Sequence, residues 1–308
     1  MQKTTDTSPT WALLRRNVAL LLTSLLIACG GGSATPPQIG VPPASPLKVG
    51  DIFSDPAQLA SAELRSEYGY SGYLPVSTAI AAAGKTNILD MFFMIHGDGP
   101  DDKSLGRLAP DVEQKLQQYV ANNRALLVPG IRVAVADEVF WSPTKVDDSP
   151  AGLQRQLDAL KTVVALVRKH IPQASVGVTV TPYAIFGRPN TLGFVSKTMS
   201  MVDWVATDPY WFGDAGTIEA LHAWSRSFVS LAKAANPRIE TWYIAQAFLM
   251  PAYDLTTFRN YMREELTYAK GFDGLLFFGW NFTAEEDGTI IGKRFDAETK
   301  RVYQEYLK

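Results

Sequence analysis

Three scarcities narrow the field before any motif is read. The 308 residues include one cysteine, Cys29, so no disulfide can form within the chain. Three histidines cannot furnish a His-rich metal centre. Lys and Arg number 29 against 31 Asp and Glu, and the formal net charge of -2 gives no electrostatic case for nucleic acid or an anionic membrane surface as partner. No Gly-x-Gly-x-x-Gly or phosphate loop follows any apolar run, which argues against an open nucleotide-binding sheet. What remains is an ordinary globular composition: 46% hydrophobic and 19% charged, with 7 Trp, 12 Tyr and 15 Phe. That aromatic supply suits a sugar-stacking surface or a well-packed core equally.

The first residues read as an export signal. Arg15 and Arg16 precede an uncharged run from Val18 to Ala28, shorter than the ~20 apolar residues that span a bilayer. The run ends Leu26-Ile27-Ala28-Cys29-Gly30, which resembles a bacterial lipoprotein lipobox. Residues 1-28 are therefore expected to be a signal peptide, with Cys29 as the lipidated residue. The stretch GGGSATPPQIGVPPASP at 30-46 has too little apolar material to bury and reads as a tether. A single folded domain is expected over 47-308, held at the bacterial cell envelope.

Within that domain, apolar strands alternate with amphipathic helices. Strands are expected at Asn87–Ile95, Ile131–Ala136, Val176–Thr181, Met201–Ala206, Thr241–Ala247 and Phe272–Trp280. Leu153, Leu157, Leu160, Val164, Val167 and Ile171 share one helical face behind an N-cap and N1 pair, Ser149-Pro150. Another helix carries Ile218, Leu221, Trp224, Phe228 and Leu231 and ends at Asn236-Pro237. Such alternation requires a parallel sheet buried on both faces. Polar residues gather at the C-terminal ends of several strands, where a (β/α)8 TIM barrel builds its sites, so that fold is expected. Two strands are then missing. They are sought in 47-86, with Tyr70–Val76 favoured, or at Leu126–Val128.

Reading only the strand ends yields His96 with Asp98, Asp137 with Glu138, Thr181 with Tyr183, Asp208 with Tyr210 and Trp211, Gln246, and Trp280 with Asn281. Asp90, Asp203 and Asp273 fall near strand starts on these boundaries and are set aside as packing or capping residues. A glycosidic bond breaks through an oxocarbenium-like transition state, which needs a proton on the leaving oxygen and negative charge near the anomeric carbon. Glu138, Asp137 and Asp208 are the carboxyls placed to serve. Adjacent residues on an extended strand point to opposite faces, so Asp137 and Glu138 can share a site only if the backbone turns there. Trp211 and Trp280 are expected as platforms for pyranose rings. His96, Tyr183, Tyr210, Gln246 and Asn281 are expected to bond sugar hydroxyls.

The stretches VADEVFW, VDWVATDPYWF, WYIAQAF and GLLFFGWNF together resemble the strand ends of glycoside-hydrolase-like barrels, over about Asn87 to Phe282. Asp-Glu-Val with a nearby tryptophan is also similar to the acid motif of β-N-acetylhexosaminidases. That resemblance implies Asp137 as the residue orienting an acetamido group and Glu138 as general acid, although Val-Ala stands where that family carries His and Gly-Gly. Retaining glycosidase barrels place an acid/base Glu after the fourth strand and a nucleophilic Glu after the seventh. Glu138 and Gln246 hold those stations here, and a carboxamide cannot form a glycosyl-enzyme bond. The expectation is a glycoside hydrolase acting on an oligo- or polysaccharide as a monomer, without cofactor or metal. Two alternatives stay open: a non-catalytic glycan-binding barrel, and a metal-dependent hydrolase using His96, Asp98, Glu138 and Asp208.

Overall fold

The structure, a computed structural model, describes residues 46-60, 63-64, 66-91, 108-141, 147-186, 188-211, 215-250, 253-280 and 290-308. Eight parallel strands close into a barrel in sequence order: β1 Lys48–Ile52, β2 Tyr68–Ser71, β3 Thr86–Asp90, β4 Arg132–Ala136, β5 Ser175–Val180, β6 Trp204–Thr207, β7 Glu240–Gln246 and β8 Gly274–Phe278. β8 pairs with β1, which closes the ring and leaves no sheet edge within it. Among the described residues, seven helices follow β2 to β8 in turn: α1 Leu74–Ala82, α2 Val112–Asn122, α3 Pro150–His170, α4 Thr191–Met199, α5 Ala215–Ala235, α6 Leu255–Ala269 and α7 Ala297–Tyr306. Among the described residues, a single helical turn, Ala57–Ala60, stands between β1 and β2.

The helix starts are set by local chemistry. Ser149 accepts from the Gly152 N–H at 3.0 Å with Pro150 in the first turn. Asp254 accepts from the Thr256 and Thr257 N–H groups, each at 2.9 Å. Leu153, Leu157, Leu160, Val164 and Val167 of α3 are all buried against the barrel, each contributing roughly 1.5–3 kcal/mol of hydrophobic stabilisation.

Strand residues divide by alternation. Val133, Val135, Val176, Val178, Val205, Tyr243 and Phe277 face the helices, while Ile88, Ala134, Trp204, Trp242, Ile244 and Leu276 fill the lumen. Trp204 and Trp242 occupy so much of that space that a Cβ on Gly177 or Gly274 would overlap their indoles. At the N-terminal end the lumen is plugged by charge. Glu240 accepts from Arg132 through both oxygens and from Lys48, each at 2.9 Å, and from the Trp242 indole at 2.8 Å. The Arg132 guanidinium lies 5.0 Å from the Tyr68 ring centre and 5.4 Å from that of Trp242.

The missing strands are β1 and β2. β2 runs from Tyr68 to Ser71, two residues earlier than the expected Tyr70–Val76, and the chain turns into α1 with Pro75 in its first turn. Leu126–Val128 is no strand: Arg124–Leu126 is a 3-10 turn. β3 ends at Asp90, well before the expected Ile95.

Candidate functional site

A cleft of about 330 Å³ opens at the C-terminal mouth of the barrel. Its walls come from every strand end: Ile52, Phe53 and Ser54 after β1, Tyr70 to Tyr73 from β2, Asp90 from β3, Asp137 and Glu138 after β4, Thr179 from β5, Asp208 and Tyr210 after β6, Ile244 from β7 and Phe278 from β8. Four carboxyls therefore meet in one cavity. Closing the sheet brings them together from positions up to 118 residues apart, since 208 − 90 = 118.

Asp137 and Glu138 both reach the cleft because the backbone turns between them. The β4–β5 register slips between Ala134 and Ala136, and beyond the strand Glu138 adopts φ 46° and Phe140 φ 63°. Left-handed backbone costs a non-glycine residue roughly 1–3 kcal/mol. The surroundings enforce it: Val139 and Phe140 are buried, Val139 N–H donates to the Thr179 carbonyl at 3.1 Å, and Trp141 N–H closes the turn on the Glu138 carbonyl at 3.0 Å.

Asp208 follows β6, two strands on from β4 in the ring. It is 3% exposed, shares a side-chain hydrogen bond with Glu138, and is held well above the usual carboxylate range. Burial is the main cause, followed by the charges of Glu138 and Asp137. The other oxygen, Oδ1, is buried without a hydrogen-bond partner. Tyr210 is fixed beside it, stacked on Phe278 at 5.4 Å with 25° between the rings and edge-on to Phe248 at 5.3 Å. Tyr183 stands behind the wall, its hydroxyl donating to the Tyr210 carbonyl at 2.8 Å.

Asp90 corrects the boundary drawn from sequence. It sits at the C-terminal end of β3, not near its start, and it hydrogen-bonds the Tyr70 hydroxyl inside the cleft. Burial first, then Asp90 and Asp137, push the Tyr70 phenol well above its ordinary value. Asp203 and Asp273 do lie at the opposite end: their carboxylates accept from the Val176 N–H at 2.9 Å and the Thr241 N–H at 2.8 Å.

Besides Tyr183, which does not line the cleft, three expected sugar contacts are placed elsewhere. Gln246 is 1% exposed and its amide is engaged: Oε1 accepts from the Trp211 N–H at 2.7 Å and Nε2 donates to the Phe248 carbonyl at 2.9 Å. It clasps the loops after β6 and β7 together, and it does not line the cleft. Trp211, 1% exposed, is packed against His222, Tyr261 and Tyr268. Trp280, 0% exposed, packs against Phe277, Phe295 and Tyr303. Neither indole presents a face to the cavity. Among the described residues, the exposed ring at the mouth is Tyr73, 57% accessible, hidden in the sequence because a strand drawn through 70-76 leaves it no distinct place. His96, Asp98 and Asn281 lie outside the described residues, as does Cys29. Among the described residues, no three His, Cys, Asp or Glu side chains are arranged to hold a metal ion.

Under the Gln246 clasp lies Glu265 of α6, which sequence reading passes over because it falls among charged helix residues. It is fully buried, accepts from the Gln246 N–H at 3.2 Å and from the Tyr243 hydroxyl, and burial holds it well above the carboxylate range. The Tyr303 hydroxyl completes the clasp by donating to the Gln246 carbonyl at 2.6 Å. The folded state thus keeps protons on Glu265 and Asp208 that the unfolded chain releases near pH 4. Between those limits the native state binds more protons, so stability falls as pH rises through the folded values. Denaturation of the wild type and Glu265→Gln from pH 5 to 8 should show a shallower decline in the variant, by up to about 1.4 kcal/mol per pH unit. Parallel curves would contradict a protonated Glu265.

No family model and no curated protein matches the chain. Solved structures share its fold. The catalytic core of xylanase A matches with a TM-score of 0.56 at 10% identity, over 86% of this chain and 99% of that one. An intracellular xylanase from Thermoanaerobacterium saccharolyticum matches with a TM-score of 0.55 at 10% identity, over 85% of this chain and 95% of that one. An FMN-binding β-glucuronidase from Faecalibacterium prausnitzii L2-6 matches with a TM-score of 0.54 at 13% identity; 86% of this chain spans 44% of that protein. These likenesses and the closed eight-stranded sheet agree on the architecture, a (β/α)8 TIM barrel.

Proposed function

We propose that the chain is a glycoside hydrolase acting on an oligo- or polysaccharide, with Glu138 as general acid. The observation that carries it is the hydrogen-bonded Asp208–Glu138 pair, with Asp137 beside it in the same cleft. Two carboxyls in contact share one proton, because ionising both in a dry site is costly. Asp208 is buried and Glu138 is the more open of the two, so Glu138 hands the shared proton to the leaving oxygen as the C–O bond breaks. Asp137 supplies negative charge near the anomeric carbon. Water then adds its oxygen to that carbon, and its proton is taken up by the carboxylates, restoring the pair.

Hydrogen-bonded carboxyls lie closer than the ~5 Å of retaining or the ~6.5–9.5 Å of inverting enzymes. This makes Asp208 a partner behind Glu138, and leaves Asp137 as the second group facing the sugar. Turnover and glycan binding by Glu138→Gln test the assignment. The engaged Gln246 favours one competing reading, a glycan-binding barrel without chemistry, since no carboxylate from β7 enters the cleft. Binding without turnover by the wild type would establish that reading.

The lipobox resemblance supports attachment to the bacterial envelope through Cys29. Cys29→Ser is expected to move the protein from the membrane fraction to the soluble fraction and to abolish labelling by a palmitate analogue. Unchanged labelling would rule out Cys29 as the lipidated residue.

A further inference from the structure

Resting on that reading of the cleft, we infer that Tyr73 is the stacking platform of a second sugar subsite, so that the substrate is a chain whose units run from the Asp208–Glu138 pair across the mouth to β2. Tyr73 lines the cleft and is 57% accessible. The other rings of that wall are buried, as Phe53 and Tyr70, or half-buried, as Tyr210 and Phe278. Among the described residues, the large hydrophobic side chains left exposed are Tyr73, Leu74, Val128 and Ile290, and of these Tyr73 is the one on the cleft. A lone exposed ring is ordinary on a protein surface. This one stands on a fixed mount: its N–H donates to Ser71 Oγ at 3.1 Å, its carbonyl accepts from the Ser77 N–H at 2.9 Å, and Pro75 holds the turn that follows. Ser71 and Ser77 are each 2% exposed, and Asn87 of β3 donates to the Ser77 carbonyl at 3.0 Å. With its backbone held, a tyrosine has two side-chain torsions left to order, so stacking a ligand on it costs little entropy.

Strand order places this ring away from the chemistry. β2 and β6 are four strands apart in either direction round the eight-stranded ring, so Tyr73 and Asp208 leave it from opposite sides, and β4 with Glu138 is two strands on from β2. Two spacings of ~4.8 Å put the β2 and β4 backbones roughly 10 Å apart, whereas stacked rings sit with their centres ~4.5–7 Å apart. The sugar at the carboxyl pair is therefore not the one over Tyr73. The apolar C–H face of a neighbouring unit in the same chain fits a flat ring there through dispersion and apolar contact.

The test measures binding of glucose, xylose and N-acetylglucosamine oligomers, each as dimer and hexamer, to full-length Glu138→Gln protein by calorimetry. At least one hexamer should bind about tenfold or more tightly than its dimer. Adding Tyr73→Ala should weaken that hexamer by about tenfold and the dimer by less than about twofold, while Tyr73→Phe, which keeps the ring, should stay within about twofold for both. Tyr73→Leu keeps apolar bulk without a flat ring; it should lose as much as Tyr73→Ala and replaces it if that variant fails to fold. A merely structural role would instead lower the melting temperature and weaken both lengths alike. Hexamer loss under about twofold, equal loss for dimer and hexamer, or no binding of any hexamer overturns the inference. Hydrolysis by protein carrying Glu138 separates the two proposals. Tyr73-dependent hexamer binding without any cleavage refutes the hydrolase and leaves the platform, whereas hexamer cleavage whose kcat/KM stays within about twofold in Tyr73→Ala refutes the platform and leaves Glu138 its role.

Discussion

Glu138→Gln is expected to lower kcat by about 10²–10⁴-fold, the usual worth of a positioned general acid, while shifting glycan affinity by less than about threefold. Glutamine matches glutamate in shape, so the left-handed turn at φ 46° and the buried Val139 and Phe140 that hold it are undisturbed. Its amide can still bond Asp208. What is lost is the transferable proton. The pH profile gives an independent readout. In the wild type the rate should fall as pH rises through the value at which Asp208 loses its proton, which burial and the neighbouring charges place above the ordinary carboxylate range. Any residual rate in the variant should lack that alkaline limb. Turnover within about fivefold of wild type would remove Glu138 from the acid role.

Glu240→Ala is expected to cost about 3–5 kcal/mol, because it strips the counter-charge from a largely buried cation. Arg132 would keep only the faces of Tyr68 and Trp242, and the Trp242 indole N–H would lose its acceptor. For a domain of this size the change amounts to roughly 10 °C in melting temperature. Glu240→Leu combined with Arg132→Met should recover most of the loss, since an apolar pair of similar volume replaces a pair whose desolvation was costly. A single-variant shift under 2 °C would show that water reaches Arg132 in the folded protein. The plug lies at the end of the barrel remote from the carboxyl cleft, so any active Glu240→Ala protein should retain its pH profile.

The barrel was legible because buried parallel strands leave a plain trace: Val176 to Val180 and Gly274 to Phe278 are almost wholly apolar and buried on both faces, and each is followed by a helix of 3.6 period. β1 and β2 left less trace, being short and carrying Gly50, Asp51 and Gly69. Asp137, Glu138, Asp208 and Tyr210 were legible as strand-end residues, and the structure brings all four into one cleft. Asp90 escaped because the apolar run of NILDMFFMI continues for five residues beyond it, and nothing in the stretch marks where pairing with β4 stops. Trp211, Gln246 and Trp280 were misassigned for the opposite reason. A residue beyond a strand end can face the cavity or fold back onto the helices, and its neighbours in sequence are the same either way.

Residue order thus specified an α/β barrel and the chain segments that reach its mouth, because alternation and helical periodicity are local properties of burial. Which side chains meet there was set by sheet closure and by the backbone turn at Glu138. The same holds for ETWYIAQAFLMP, whose glutamine ends a strand as its position suggests but spends its amide on Trp211 and Phe248. Those partners come from the neighbouring loops, and hydrogen-bond satisfaction in a buried site is decided only when they arrive.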